Sequence, residues 1–154
     1  MNSKIKLGVN IDHVATVRNA RGTVYPSPLR AAMLAQESKA DSVTLHIRED
    51  RRHIREHDLV QIKNRIKIPI NLEMAPTPSM LSIALKHKPD YVCIVPEKRQ
   101  ELTTEGGLDV FSQMDHLAEA SERLKKSGIR VAYFVDPEPK QIESSQMAGA
   151  EVVE

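Results

Sequence analysis

His46 and Arg48 stand two residues apart at the end of an apolar, β-branched run, residues 42–47, and comparable polar residues close most of the other apolar runs. Asn10 and Asp12 end the run 5–11, with His13 next to them. Thr44 stands one further step of two before His46. Asn71 and Glu73 end the run 69–74, Asp136 ends 130–136, and Glu154 follows Val152 and Val153. Residues two apart in a strand share a face. Charge on a buried face is costly unless it is paired or set at a site. The residue types point to acid–base work on a phosphorylated small molecule. Histidine is the side chain whose ordinary pKa suits proton transfer near neutrality. A half-buried carboxylate can serve as acid or base. Arginine offers phosphate two parallel hydrogen bonds from a planar fork.

The runs that carry these residues have to be strands. They occur near 5–11, 42–47, 69–74, 91–96 and 130–136, with a sixth starting at Val152. None alternates polar and apolar residues along its whole length, as expected of parallel strands covered on both faces. The intervening stretches carry helix-start signals. Ser27-Pro28 and Thr77-Pro78 each offer an N-cap followed by proline at the first helical position. Asp58 to Gln61 reads as a capping-box variant opening a helix to about residue 66. Residues 108–126 form an amphipathic stretch closed by Gly128, and Pro139 opens a helix ending near Gly149. The order is β-α five times, then a sixth strand. Such repeats suit a doubly wound sheet or a (β/α)8 barrel. A doubly wound sheet would carry a glycine-rich turn after its first strand, and none is present. Polar groups at many strand ends favour the α/β (β/α)8 TIM barrel, whose active sites lie at that end. The chain is expected to be a single barrel domain over residues 1–154, incomplete at its C-terminus.

Composition narrows the partners. There are 22 basic and 21 acidic side chains, a net charge of +1, which disfavours a general nucleic-acid or anionic-membrane binder. No apolar run approaches the roughly 20 residues that span a bilayer. The N-terminus lacks the pattern of a signal peptide. The lone Cys93 has no internal partner for a disulfide. A cytoplasmic location is therefore expected.

Other motifs have competing readings. Residues 8–22 read as a strand followed by a long loop bearing Arg18 and Arg21, either a site or a solvated basic loop. The basic cluster 51–55 has acidic neighbours and no interleaved aromatics, so RNA binding is disfavoured. His53-Ile-Arg-Glu-His57 matches the H-x-x-E-H zinc pattern, but a helix starting at Asp58 would leave both histidines outside it. The stretch 95–107 is a long polar loop with hydroxyls at Thr103 and Thr104, of a kind that can hold phosphate.

Four segments, GVNIDHVATVRNARG (8–22), HIREDRRHI (46–54), NLEMA (71–75) and VPEKRQELTTEGG (95–107), closely resemble those of pyridoxine 5′-phosphate synthases, in the same order and spacing. The resemblance covers essentially the whole chain. It implies a (β/α)8 barrel with extra helices, assembled as a homo-octamer, with no metal or organic cofactor. It also implies condensation of 3-amino-2-oxopropyl phosphate with 1-deoxy-D-xylulose 5-phosphate to give pyridoxine 5′-phosphate, inorganic phosphate and water. By the same likeness Asn10 and Arg21 hold the amino-ketone phosphate. Asp12, His13, Arg48, His53 and Thr103 contact the deoxyxylulose phosphate. His46 and Glu73 act as proton acceptors, and Glu154 matches a carboxylate that stabilises the transition state. The family's barrel continues beyond residue 154, with a histidine proton donor and glycine-rich phosphate loops. The 154-residue chain alone is therefore expected to be an inactive, aggregation-prone fragment. The alternatives are another phosphosugar-binding barrel enzyme (an aldolase or isomerase) and a non-catalytic phosphate- or nucleic-acid-binding relative.

Overall fold

The computed structural model describes residues 5–98 and 106–154. The chain forms two compact units, residues 1–71 and 72–154. Strand β3 (Ile70–Met74) is divided between them.

In the first unit β1 (Gly8–Asn10) pairs in parallel with β2 (Ser42–His46), Val9 opposite Val43. Val43 N donates in turn to Pro69 O at the entry to β3. Between β1 and β2 run two helices, α1 (Asp12–Arg21) and α2 (Pro28–Glu37), and α3 (Glu56–Lys63) lies between β2 and β3. Helix α2 starts as its sequence demands. Ser27 accepts from Arg30 N, and Pro28 fills the first helical position.

Helix α1 corrects the expectation of a long loop after the first strand. Only Gly8–Asn10 of the run 5–11 is strand, Ile11 caps the helix, and residues 12–21 contain neither glycine nor proline. Gly22 stops the helix in a left-handed conformation, φ +63°, with its N–H on Asn19 O. Asp12 in the first turn and Arg18 and Arg21 in the last oppose the helix dipole with the right signs.

A second correction concerns Asp58, expected at the start of α3. It is the third helical residue, and its carboxylate accepts from Arg55 N at 2.9 Å. This brings His57 into the helix and leaves His53 outside, so the two never share a helical face. Asp58 is also the buried partner of Arg18. Nη1 and Nη2 donate to its two carboxylate oxygens at 2.5 and 3.0 Å, so Arg18 is taken up in joining α1 to α3.

In the second unit α4 (Pro78–His87) leads from β3 to β4 (Tyr91–Ile94). A single 3-10 turn (Phe111–Gln113) precedes α5 (Met114–Lys126), followed by β5 (Arg130–Tyr133), α6 (Pro139–Met147) and β6 (Val152–Val153). β4 pairs in parallel with β5, Cys93 opposite Ala132, and β5 with β6, Tyr133 opposite Val153. Pro78 and Pro139 open their helices as expected, although Thr77 makes no capping bond with its side chain. The strands and the inward faces of α4 and α5 supply the core, including Leu72, Met74, Met80, Ile94, Leu117 and Leu124.

Asp136, one of the polar strand-end residues, is buried and accepts from Gly107 N at 3.2 Å. Gly107 has no room for a side chain, because a Cβ there would collide with the backbone N of Asp136. Among the described residues no helix is long and apolar enough to cross a membrane.

Replacing Asp58 with alanine leaves Arg18 buried without its counter-charge and removes the bond to Arg55 N. The expected cost is about 3 kcal/mol of stability, read as a lower urea midpoint with an unchanged slope.

Candidate active site

The first unit gathers most of the ionisable residues around one carboxylate. Both side-chain oxygens of Asp12 are occupied: Oδ1 accepts from His46 N at 2.6 Å and Oδ2 from Asn10 Nδ2 at 2.7 Å. Asn10 Oδ1 in return accepts from Asp12 N at 2.9 Å. The strand-parity expectation for Asn10 and Asp12 is thus replaced by a turn. Asn10 ends β1, Asp12 begins α1, and the pair bridges to the end of β2.

Three imidazoles surround this junction. The His53 ring lies 5.8 Å from that of His13, edge-on at 77°, and 6.3 Å from that of His46. His53 Nδ1 is 2.7 Å from Thr16 Oγ1, and Asn19 Nδ2 donates to the carbonyls of Arg52 and His53 at 3.0 and 2.9 Å. Residues 16 and 19 of α1 therefore hold the segment after β2. Neither was singled out by the sequence. The signal was their i, i+3 spacing, which acquires meaning only once residues 12–21 are a helix.

Arg48 is half-buried. Its Nε has no hydrogen-bond partner and stands 3.7 Å from Asp50 Oδ1. Asp50 is committed elsewhere: Arg52 donates to it at 2.8 Å and, first among several causes, holds its carboxyl down at about 2. Arg48 thus keeps a buried donor available for an anion. Arg21 is not brought to this cluster. It lies at the far end of α1, about 13 Å along the axis from Asp12, stacked on the exposed Tyr25 with Nη2 on the phenol oxygen at 3.1 Å.

The electrostatics of the cluster act on His53. Its pKa is lowered below the ordinary 6.5, first by burial, then by His46, His13 and Arg48, while the Asp12 carboxylate opposes the shift. A neutral imidazole can accept or donate a proton, so the ring is suited to hydrogen bonding at neutral pH.

The second unit holds the remaining carboxylates. Glu73 is half-buried in β3, where buried and half-buried residues alternate. Glu154 follows β6 and is tied by its backbone, its N–H on Tyr133 O and its carbonyl accepting from Val135 N, both at 2.9 Å. The buried Cys93 of β4 lies within electrostatic reach of Glu154 and Glu73. Burial pushes its thiol far up, and the carboxylates of Glu154 and Glu73 add to the shift. Cys93 therefore stays a protonated thiol, and its coupling to Glu154 is invisible in sequence because it spans different strands. Thr103 lies outside the described residues.

Comparison with known proteins places this geometry. The family model for "Pyridoxal phosphate biosynthesis protein PdxJ" matches residues 7–154. The chain belongs to the PdxJ family. It is 58% identical over 148 residues to the pyridoxine 5′-phosphate synthase of Neisseria meningitidis, covering 96% of this chain and 61% of that protein. It is 53% identical over 150 residues to that of Idiomarina loihiensis, covering 97% and 62%. With the Aquifex pyrophilus enzyme it shares 54% over 150 residues, covering 97% and 64%. The chain thus spans about three-fifths of the length of the curated relatives it matches. Among solved structures, mandelate oxidase bound to 3,3-difluoro-2-hydroxy-3-phenylpropionic acid superposes with a TM-score of 0.60 at 10% identity, covering 82% of this chain and 44% of that one. That likeness concerns the fold alone. The PdxJ chain is α/β, with the first five and a half β-α units of a TIM barrel.

A depressed histidine pKa has a definite sign. The folded state binds fewer protons than the unfolded one, so His53 favours folding above 6.5 and loses that contribution as pH falls below it. In an NMR titration the His53 midpoint is expected below 6.5. Asp12→Asn, by removing the opposing carboxylate, should lower it further; an upward move would show that Asp12 does not act on the ring.

Proposed function

We propose that this PdxJ-family chain is the larger part of a pyridoxine 5′-phosphate synthase. In this reading it condenses 3-amino-2-oxopropyl phosphate with 1-deoxy-D-xylulose 5-phosphate, releasing pyridoxine 5′-phosphate, inorganic phosphate and water. The observation that carries the proposal is the group His13, His46, His53 and Arg48 arranged about Asp12, on the segments that resemble the synthases.

The chemistry suits these residues. The amine of one substrate attacks the ketone of the other directly, so the imine needs no lysine of the protein. Imine formation, dehydration and ring closure move several protons, and more than one base is useful. His46 and Glu73 are the proposed acceptors. Glu154 would stabilise developing positive charge. Asp12, His13, Arg48, His53 and Thr103 would contact the ketose phosphate, and Asn10 and Arg21 the amino-ketone phosphate. The Asp12 carboxylate is already filled by His46 N and Asn10 Nδ2, which supports a role in ordering the ligand-binding groups. The whole protein is proposed to be a single-barrel, cytoplasmic homo-octamer that uses phosphorylated small molecules and no organic cofactor or metal.

The test is incubation of the whole protein, of which this chain is the larger part, with both substrates and detection of pyridoxine 5′-phosphate and free phosphate in equal amounts. Glu73→Gln keeps the size of the side chain and removes the base; kcat should fall about 10²-fold or more while ketose binding by calorimetry persists. Near-normal kcat would take Glu73 out of the mechanism. Turnover of the ketose phosphate without the amino-ketone would replace the synthase reading with that of an aldolase or isomerase.

A further inference from the structure

Thr16 lies one turn after Asp12 on α1, half-buried, and its hydroxyl has two close neighbours. Oγ1 is 3.2 Å from the carbonyl oxygen of Asp12 and 2.7 Å from Nδ1 of His53. A hydroxyl has one proton to donate. If that proton goes to the Asp12 carbonyl, Oγ1 is free to accept from an Nδ1–H, and both contacts are satisfied. If it goes to Nδ1 instead, the Oγ1 lone pairs face the carbonyl oxygen. The first arrangement is the favourable one, and it decides which nitrogen of His53 carries the proton.

We propose that Thr16 is a positioning residue that fixes His53 in its Nδ1–H form, so that the Nε2 lone pair accepts a hydrogen bond from a hydroxyl of the phosphorylated ketose. The proposal rests on the synthase reading for its ligand, but not for the state of the ring. Asn19, three residues on, grips the carbonyls of Arg52 and His53, so α1 sets both the backbone and the ring. The groups around the imidazole are Asp12, His13, His46 and Arg48, and their combined effect with burial favours the neutral ring that such an acceptor requires. A sugar chain presents hydroxyl donors, and a neutral nitrogen held in register distinguishes them from a carbonyl or phosphate oxygen, which only accepts.

The tautomer can be read without substrate. In 15N-labelled protein, long-range proton–nitrogen correlation at a pH above the imidazole titration should show His53 protonated on Nδ1 in the wild type and in Thr16→Ser. In Thr16→Val it should show a mixture or the Nε2–H form. In assays of the whole protein Thr16→Val should raise KM for the ketose phosphate about tenfold with kcat little changed, and Thr16→Ser should restore it. A wild-type ring protonated on Nε2, or a tautomer unmoved by Thr16→Val in a spectrum that is otherwise native, overturns the proposal. An Nδ1–H ring in a whole protein that turns over neither substrate overturns the assigned ligand together with the synthase reading, and leaves the Thr16–His53 link standing.

Discussion

The first unit depends on the saturation of one carboxylate. Asp12 accepts from the backbone of His46 and the side chain of Asn10, so a single buried group joins the end of β1, the start of α1 and the end of β2. Such a group is costly if left unmatched and strongly orienting when matched. Its negative charge also opposes the effect of burial, His46, His13 and Arg48 on the His53 imidazole. The geometry of the junction and its electrostatics thus come from the same atoms.

Most of the fold was legible in the sequence because its punctuation is local. Proline at the first position of α2, α4 and α6 and glycines at positive φ beyond α5 and α6 mark boundaries that need no tertiary knowledge. The strands declared themselves as apolar runs. Helix α1 did not, for a physical reason. Its buried residues are Asp12, Ala15 and Arg18, so the face turned inward is polar. A helix that buries an ion pair leaves no apolar stripe for a 3.6-residue period to reveal. The misplaced start of α3 has the same origin, since Asp58 serves the helix and Arg18 at once.

The site was legible in part. Polar residues at strand ends could be picked out by parity, and Asn10, His46, Arg48 and Glu73 occupy such places. The groups that hold them could not. Thr16 and Asn19 act from a helix the sequence concealed, and Cys93 is coupled to Glu154 across strands. Arg21 shows the reverse: its residue type suits phosphate, while its place at the end of α1, against Tyr25, is set by helix length.

The chain has no tryptophan and three tyrosines, and the burial of one of them gives the molecule an optical reporter of its own. Tyr25 is exposed beneath Arg21, and Tyr91 is stacked under Arg130. Tyr133 is fully buried, its hydroxyl placed among Ser121 Oγ at 2.6 Å, Leu117 O at 3.0 Å and Ala148 O at 3.3 Å, where β5, α5 and the end of α6 meet. Burial pushes its ionisation up to about 12. The ultraviolet absorbance of phenolate formation in strong alkali therefore records the moment that the interior of the second unit opens to solvent, with no label attached.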